Sequence, residues 1–149
     1  MTGRSVKSLP GTYAIGHVRY STTGSSVVAN AQPLVARHRQ RAYAVAHNGN
    51  LVNAHMIKAE LEDSGSIFQT TMDSEVFLHL FVRNLHLGFE ESLKASVARM
   101  KGAFSMIVLT SRGEMIGIKD PNGFRPLCLG RYQDSYVVAS ESCAFDIIG

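Results

Sequence analysis

The stretch YAVAHNGNLVN, residues 43–53, joins an apolar run to a polar cluster and then to the start of a helical pattern. The apolar residues 42–46 predict a strand, and His47, Asn48 and Gly49 predict its end. Such a cluster is typical of a strand-end turn, but it is also a group of hydrogen-bond donors able to hold a ligand. Both interpretations stay open on these residues alone.

Helical periodicity follows this stretch. A first helix begins at the N-cap residue Asn53 and ends just before Gly65, which suits a C′ position. A second begins near Thr71, with Asp73 in its first turn, and a third spans about residues 90–100. The side chains expected on the buried faces of these helices are Met56, Ile57, Leu61, Val76, Phe77, Leu80, Phe81, Leu93, Val97 and Met100.

Strand patterns lie on both sides of the helical region. A short strand is predicted at residues 12–17, and the clearest one is AFSMIVLT at residues 103–110. Three further strands are predicted at residues 115–118, 127–129 and 136–139, with turns at 111–114 and 120–123. Strands, then helices, then hairpin-linked strands favour an α+β fold with antiparallel sheet over a repeated βαβ unit.

Size and charge restrict the class of protein. A chain of 149 residues with 45% hydrophobic residues suits one domain with a real core. The formal net charge is only +3, and the basic run at residues 37–41 is interpreted as a solvated loop, so no nucleic-acid partner is expected. No apolar run reaches the ~20 residues of a membrane span and no signal peptide is recognisable, so a soluble cytoplasmic protein is expected.

Several kinds of catalytic site have no support in the sequence. HExxH, CxxC, GxGxxG and Walker motifs do not occur, so no metal or nucleotide site is expected. His17, His47 and His79 are isolated and are expected to serve packing or turns. Cys128 lies in an apolar strand fragment and Cys143 lies near a short helix, and both are interpreted as structural.

Three features fit one substrate when they are taken together. Arg19 follows the first predicted strand, Asp73 opens a helix, and Asn48 and Gly49 end the strand at residues 42–46. Each feature alone has an ordinary explanation. An amino acid, however, needs a cation for its carboxylate and an anion for its ammonium group. An acyl reaction on its side chain also needs oxyanion donors, such as one side-chain amide and one backbone N–H.

Several long motifs occur in order along the chain: GHVRYSTTG, NAQPL, AHNGNLVNA, SIFQTTMDSEV, KGAFSMIVL, DPNGFRPLCLG and VVASESCAFDIIG. They give nearly the whole chain, from about residue 11 to residue 149, a close resemblance to the glutaminase domain of the amidophosphoribosyltransferase family. The GH-x-R-Y and HNG motifs are shared by the wider class of N-terminal-nucleophile glutamine amidotransferases, whereas DPNGFRPLCLG and ASESCAFD narrow the resemblance to the purine enzyme.

The resemblance implies a four-layer αββα sandwich with mostly antiparallel sheets. It implies that Arg19, with Thr22 beside it, holds the α-carboxylate of L-glutamine and that Asp73 holds the α-ammonium. The Asn48 side-chain amide and the Gly49 N–H would form the oxyanion hole.

The family hydrolyses glutamine and passes the ammonia to a phosphoribosyltransferase domain. That domain converts phosphoribosyl pyrophosphate to phosphoribosylamine, the first committed step of purine synthesis. The full enzymes are homo-oligomers that use Mg²⁺ with phosphoribosyl pyrophosphate, and some carry an iron–sulfur cluster. No cofactor is expected in residues 1–149 themselves.

The expected nucleophile is missing from the pattern. The family uses a cysteine at the mature N-terminus, whereas this chain begins Met1-Thr2-Gly3, and Thr2 does not match the position of the nucleophile. Residues 1–149 are therefore expected to be a partial domain, without the nucleophile-bearing strands and without the phosphoribosyltransferase domain. The isolated polypeptide is expected to lack glutaminase activity. Glutamate release that stops when Cys143 or Thr2 is blocked would contradict this.

Two alternatives remain. A sister amidotransferase of the glucosamine-6-phosphate synthase type would share the glutamine site but pass ammonia to a sugar. A non-catalytic module would keep glutamine recognition without a nucleophile.

Overall fold

A four-stranded antiparallel sheet lies at the centre of the computed structural model, which describes residues 9–18 and 27–148. Its strands follow one another in the order β1-β2-β3-β4, and each pairs with the next. The longest pairing joins β2 to β3, from Tyr43 opposite Thr110 to Leu51 opposite Gly102. The strands are β1 (Leu34–His38), β2 (Arg41–Leu51), β3 (Gly102–Thr110) and β4 (Met115–Lys119).

Three helices between β2 and β3 cover one face of this sheet, and an aromatic cluster joins them to it. Phe81 is fully buried and meets the Tyr43 ring edge-on, with 5.1 Å between the ring centroids. Phe81 also stacks on Phe77 and meets the edge of Phe89. The helices are α1 (Ala54–Asp63), α2 (Asp73–Asn84) and α3 (Phe89–Arg99), with 3-10 turns at Val28–Asn30 and Leu85–Leu87.

A second, two-stranded sheet covers part of the opposite face. It consists of β5 (Cys128–Tyr132) and β6 (Ser135–Ala139), and helix α4 (Cys143–Ile148) follows it. A Cβ built on Gly117 of β4 would lie 3.0 Å from Leu127 Cδ2, and one built on Gly130 would lie 3.1 Å from the Phe145 ring of α4. The layers therefore run from the helices α1–α3 through the large sheet and the small sheet to α4.

Strand alternation decides which side chains face each layer. Directly paired residues share a face, so His47 of β2 and Met106 of β3 point with Tyr43 toward the helices. The next pair, Asn48 with Ser105, points to the other face, where the small sheet lies. The HNG segment thus presents different groups to the two sides of one sheet.

The strand that contains the HNG segment is longer than the sequence predicted. We expected it to end at residue 46 in a turn, but β2 continues through His47, Asn48 and Gly49 to Leu51. The turn interpretation is wrong because β3 supplies a paired residue for every position of this segment. A partner 50 or more residues away in sequence leaves no signal in local composition.

Other strand predictions had mixed outcomes. The predicted strands at residues 103–110, 115–118, 127–129 and 136–139 are confirmed as β3 to β6 to within a few residues. Residues 12–17 contain no strand. The sequence missed β1, whose end lies within the basic run at residues 37–41 that was interpreted as a loop. Only the tip of that hairpin is a turn, where Arg39 has a φ of 53°.

The helix predictions are mostly confirmed. Helix α1 is followed by Gly65 with a φ of 91°, and the buried faces of α2 and α3 are those predicted. Met56 is an exception, since it is 55% exposed while Ile57 and Leu61 are buried. Asn53 occupies the N-cap position, but its side chain bonds to the Arg99 carbonyl and the Lys101 N–H instead of capping α1.

Candidate functional site

The Asn48 side chain lies on the sheet face that borders a cavity of about 780 Å³ between the two sheets. The cavity is lined by Ala46, Asn48 and Ser105 of the large sheet and by Val138 and Ser140 from the region of the small sheet. The Asn48 amide is half-buried, and it can donate or accept hydrogen bonds there. Neither Gly49 nor Asp73 belongs to this lining.

Position 49 of β2 accepts only glycine. Its φ is +127°, and a Cβ there would lie 2.1 Å from the Ala103 carbonyl oxygen and 2.8 Å from Phe104 Cα. Any L side chain would thus be strained in its backbone and would also collide with β3. The glycine allows β2 to adopt this positive φ next to Asn48 while remaining paired with β3.

Asp73, the first residue of α2, brackets the same segment of β2. Its Oδ1 lies 3.0 Å from His47 Nδ1, and its Oδ2 accepts a 2.8 Å hydrogen bond from the Leu51 N–H. These two partners stand immediately before Asn48 and two residues after Gly49. The N-terminus of α2 is therefore attached to the strand at both ends of the predicted oxyanion pair.

The Asp73 carboxylate is ionised in this setting. Its burial opposes ionisation and is the largest single influence on its pKa, but several opposing contributions together outweigh it. The His47 hydrogen bond and charge, with the backbone N–H groups of Leu51 and Ser74, bring the pKa of Asp73 below its ordinary value of 3.8. The site therefore contains a fixed, largely buried negative charge.

Two residues of the NAQPL motif support this arrangement, and sequence reasoning missed both. Gln32 spans the peptide groups of His47: its Oε1 accepts from the His47 N–H at 2.6 Å, and its Nε2 donates to the His47 carbonyl at 3.3 Å. Asn30 is buried and binds Thr71 through both amide atoms, which fixes the turn before Asp73. The only signal was the NAQPL motif itself, in which no site residue was predicted.

Of the residues predicted for the site, the structure places three. Asn48 and Gly49 lie next to each other on β2, and Asp73 reaches their neighbours His47 and Leu51. The Asn48 side chain lies on one face of β2 and Asp73 lies on the other side with helix α2, which the sequence could not indicate. Arg19 and Thr22 lie outside the described residues, so their roles stay predictions.

His47 has a more specific position than the packing or turn role predicted for it. It is 4% exposed, its Nδ1 faces Asp73, and its Nε2 has no hydrogen-bond partner among the described residues. Within residues 9–18 and 27–148, no group of three or more His, Cys, Asp or Glu side chains is placed to hold a metal ion. In the same ranges, no helix is long and apolar enough to cross a membrane.

The two cysteines lie away from this segment of β2. Cys128 is half-buried on β5, and Cys143 is exposed at the first position of α4. Neither belongs to the cavity lining.

Comparison with known proteins identifies the class. A family model described as a glutamine amidotransferase domain matches residues 17–146. The chain therefore belongs to the glutamine amidotransferase domain family.

Particular relatives within that class share one name. The chain is 48% identical over 145 residues to the amidophosphoribosyltransferase of Bacillus subtilis (strain 168), which covers 97% of this chain and 30% of that protein. It is 48% identical over 141 residues to the chloroplastic amidophosphoribosyltransferase 2 of Arabidopsis thaliana, covering 94% of this chain and 25% of that protein. The chain thus spans less than a third of the length of these relatives.

Two solved structures match this chain in both fold and sequence. The glutamine phosphoribosylpyrophosphate amidotransferase from B. subtilis, complexed with ADP and GMP, matches with a TM-score of 0.81 and 47% identity. That match covers 89% of this chain and 28% of the other. A structure described as the allosteric regulatory enzyme of purine biosynthesis matches with a TM-score of 0.83 and 49% identity, over the same shares. The predicted α+β fold of the glutaminase domain, an N-terminal-nucleophile hydrolase sandwich, is confirmed.

Proposed function

We propose that this chain is the glutaminase part of an amidophosphoribosyltransferase and that it recognises L-glutamine around the HNG segment of β2. The observation that carries the proposal is the arrangement of His47 to Leu51. An amide side chain borders a cavity, a glycine is required beside it, and a buried carboxylate is hydrogen-bonded to both flanks. Identity of 48% over 97% of the chain to an amidophosphoribosyltransferase supports the same conclusion.

Asn48 and Gly49 supply the oxyanion donors in this proposal. When a nucleophile attacks the side-chain amide of glutamine, the carbonyl oxygen gains negative charge, and donors fixed in advance stabilise that charge. The N–H groups of His47 and Leu51 leave the β2 edge toward Gln32 and Asp73, and strand alternation assigns the Gly49 N–H to the same edge. The backbone donor of Gly49 and the amide of Asn48 are then adjacent.

Asp73 supplies the anchor for the amino-acid head group. Its side chain is 14% exposed, and the hydrogen bonds from His47, Leu51 and the Ser74 N–H occupy only part of the roughly four acceptor positions of a carboxylate. An ammonium group can therefore bind to the remaining acceptor capacity. Arg19 and Thr22 complete the proposal as partners of the α-carboxylate.

The remaining partners follow from the same assignment. Ammonia released from glutamine would pass to a phosphoribosyltransferase domain, where it displaces pyrophosphate from phosphoribosyl pyrophosphate bound with Mg²⁺. The enzyme would act in the cytoplasm as a homo-oligomer. None of these steps requires a metal or an iron–sulfur cluster in the described part of this chain.

Calorimetric titration of the chain with L-glutamine tests the recognition step. We expect saturable binding that weakens about tenfold or more in Asp73→Asn, because an ion pair and its hydrogen bonds to the ammonium are lost. The matched control is Asp134→Asn, which removes a fully exposed carboxylate and should leave the affinity unchanged. A chain that does not bind glutamine would contradict the proposal.

A further inference from the structure

The His47 side chain connects the two parts of the proposed site, the oxyanion donors Asn48 and Gly49 and the ammonium anchor Asp73. His47 immediately precedes Asn48, and its ring reaches Asp73 at 3.0 Å, 26 positions along the chain. Because an ionised carboxylate only accepts hydrogen bonds, Nδ1 of His47 carries the proton of this contact. The tautomer of the imidazole is thereby assigned by its partner.

Both the backbone and the side chain of His47 are held in place. Its backbone N–H and carbonyl are both bonded to the Gln32 side chain, and the carbonyl also accepts from His17 Nε2 at 3.0 Å. The side chain is 2% exposed, so solvent does not compete for Nδ1. A donor held from both sides fixes the orientation of the carboxylate it faces.

The orientation of the Asp73 carboxylate matters because both of its oxygens already accept hydrogen bonds from β2 and must also bind the ammonium group. Oδ1 accepts from His47, Oδ2 accepts from Leu51, and the Ser74 N–H also bonds to the carboxylate, so these bonds together set the direction of the remaining lone pairs. Without the His47 bond, the carboxylate would keep only its backbone N–H partners Leu51 and Ser74, and its orientation would be less restricted. Its exposed edge would then no longer have one fixed direction.

We propose that His47 is a positioning residue for amino-acid recognition, whose Nδ1–H holds the Asp73 carboxylate in the orientation that accepts the α-ammonium of glutamine. This inference rests on the proposed function and adds a residue to it. His47 also places the ammonium anchor in register with the oxyanion donor Asn48, since the two residues are neighbours on β2. The lowered pKa of Asp73, to which the His47 hydrogen bond contributes, is consistent with this role.

The chain offers a matched control on the same helix. His79 lies one turn beyond Glu75 on α2, with its Nε2 3.8 Å from Glu75 Oε1 and its ring against Phe68. This second histidine–carboxylate pair lies outside the proposed site. Loss of the His79 side chain should affect stability without affecting recognition of the ammonium group.

The test compares two polar substitutions by calorimetry with two ligands. The amide nitrogen of His47→Asn takes the place of Nδ1, whereas that of His47→Gln reaches the place of Nε2. The ligands are L-glutamine and its des-amino analogue glutaramic acid, which has no α-ammonium. We expect His47→Gln to weaken glutamine binding about tenfold, and His47→Asn and His79→Leu to stay within about twofold of the unsubstituted chain. Binding of the analogue should be the same in all four proteins.

Each outcome decides the matter. Equal losses for glutamine and the analogue in His47→Gln would assign His47 a purely structural role and overturn the inference. Unchanged glutamine binding in His47→Gln would also overturn it. If the unsubstituted chain does not bind glutamine, the proposed function fails, and this inference fails with it.

A second measurement needs no substitution and applies if the variants do not fold. The ¹⁵N resonance of His47 Nδ1 should show a protonated nitrogen in the free chain. It should shift when glutamine is added and stay unchanged with glutaramic acid. A resonance that responds equally to both ligands, or to neither while glutamine binds, would overturn the inference.

Discussion

Gly49 shows how one backbone position restricts the site. A Cβ at Gly49 would meet the Ala103 carbonyl oxygen at 2.1 Å, whereas Gly65, which also has a positive φ, has open space around it. A substitution at Gly65 would therefore meet backbone strain alone, whereas one at Gly49 would meet both strain and a steric collision. Sequence reasoning identified Gly49 as important but could not give this steric reason, because the colliding atoms belong to β3.

We predict that Gly49→Ala destabilises the chain by about 2–5 kcal/mol, since strain and collision both apply. Gly65→Ala should cost only about 1–2 kcal/mol, since a positive φ alone is at issue. Urea denaturation followed by circular dichroism measures both. Equal losses would mean that β3 moves aside at no cost.

Asp73 links pH to stability. The pKa of Asp73 in the folded chain lies below its ordinary value of 3.8, so the ionised form favours folding. The contribution is fully present above pH 3.8 and is lost as the pH falls through the lower folded value. The ionised carboxylate thus stabilises the folded chain at neutral pH, and this contribution disappears in acid.

We predict that Asp73→Asn lowers the free energy of unfolding by about 1–3 kcal/mol at pH 7. The difference from the unsubstituted chain should shrink once the pH is below 3.8. Urea midpoints at a series of pH values test this, with Asp134→Asn, at an exposed side chain, as the control. A difference that grows in acid would have the wrong sign for a depressed pKa.

At the scale of elements, the contact between α2 and β2 carries both core and site. Phe81 is fully buried between Tyr43, Phe77 and Phe89, and the same helix begins with Asp73 at the strand. Packing in the middle of α2 therefore determines where its first residue lies. Stability and recognition are coupled through one helix.

We predict that Phe81→Ala costs about 3–5 kcal/mol of unfolding free energy, as expected for a large side chain removed from a close-packed core. Phe124→Ala removes the same ring from a position that is 70% exposed and should change stability by less than about 0.5 kcal/mol. Thermal or urea unfolding compares the two. A small effect at Phe81 would mean that α2 is not held by this cluster.

The helices were predictable because their signals are local. Repeated apolar spacing and Gly65 located α1, and the acidic first turn located α2, within a few residues. Strand β1 and the second half of β2 were not, because their pairing depends on distant segments. The basic run at residues 37–41 contains the turn of a hairpin, and the HNG segment has the composition of a turn although it pairs with β3.

At the scale of the whole molecule, the family could be read from the order of long motifs, and the layered fold followed from it. The contacts that build the site could not be predicted from the sequence. The His47–Asp73 contact joins strand β2 to the start of helix α2, 26 residues away in sequence, and the support from Gln32 and Asn30 comes from a segment with no regular pattern. Nothing in local composition separates these side chains from ordinary loop and core residues.

The direct test of the central claim grafts this chain into a complete enzyme. The matching 145 residues of the Bacillus subtilis amidophosphoribosyltransferase would be replaced by this chain, and phosphoribosylamine formation would be measured with glutamine or with ammonia as the nitrogen donor. We predict a glutamine-dependent rate that falls about 10²–10³-fold in Asn48→Ala, with the ammonia-dependent rate unchanged, because one oxyanion donor is lost. A graft whose glutamine-dependent rate is unchanged by the Asn48→Ala substitution would contradict the account.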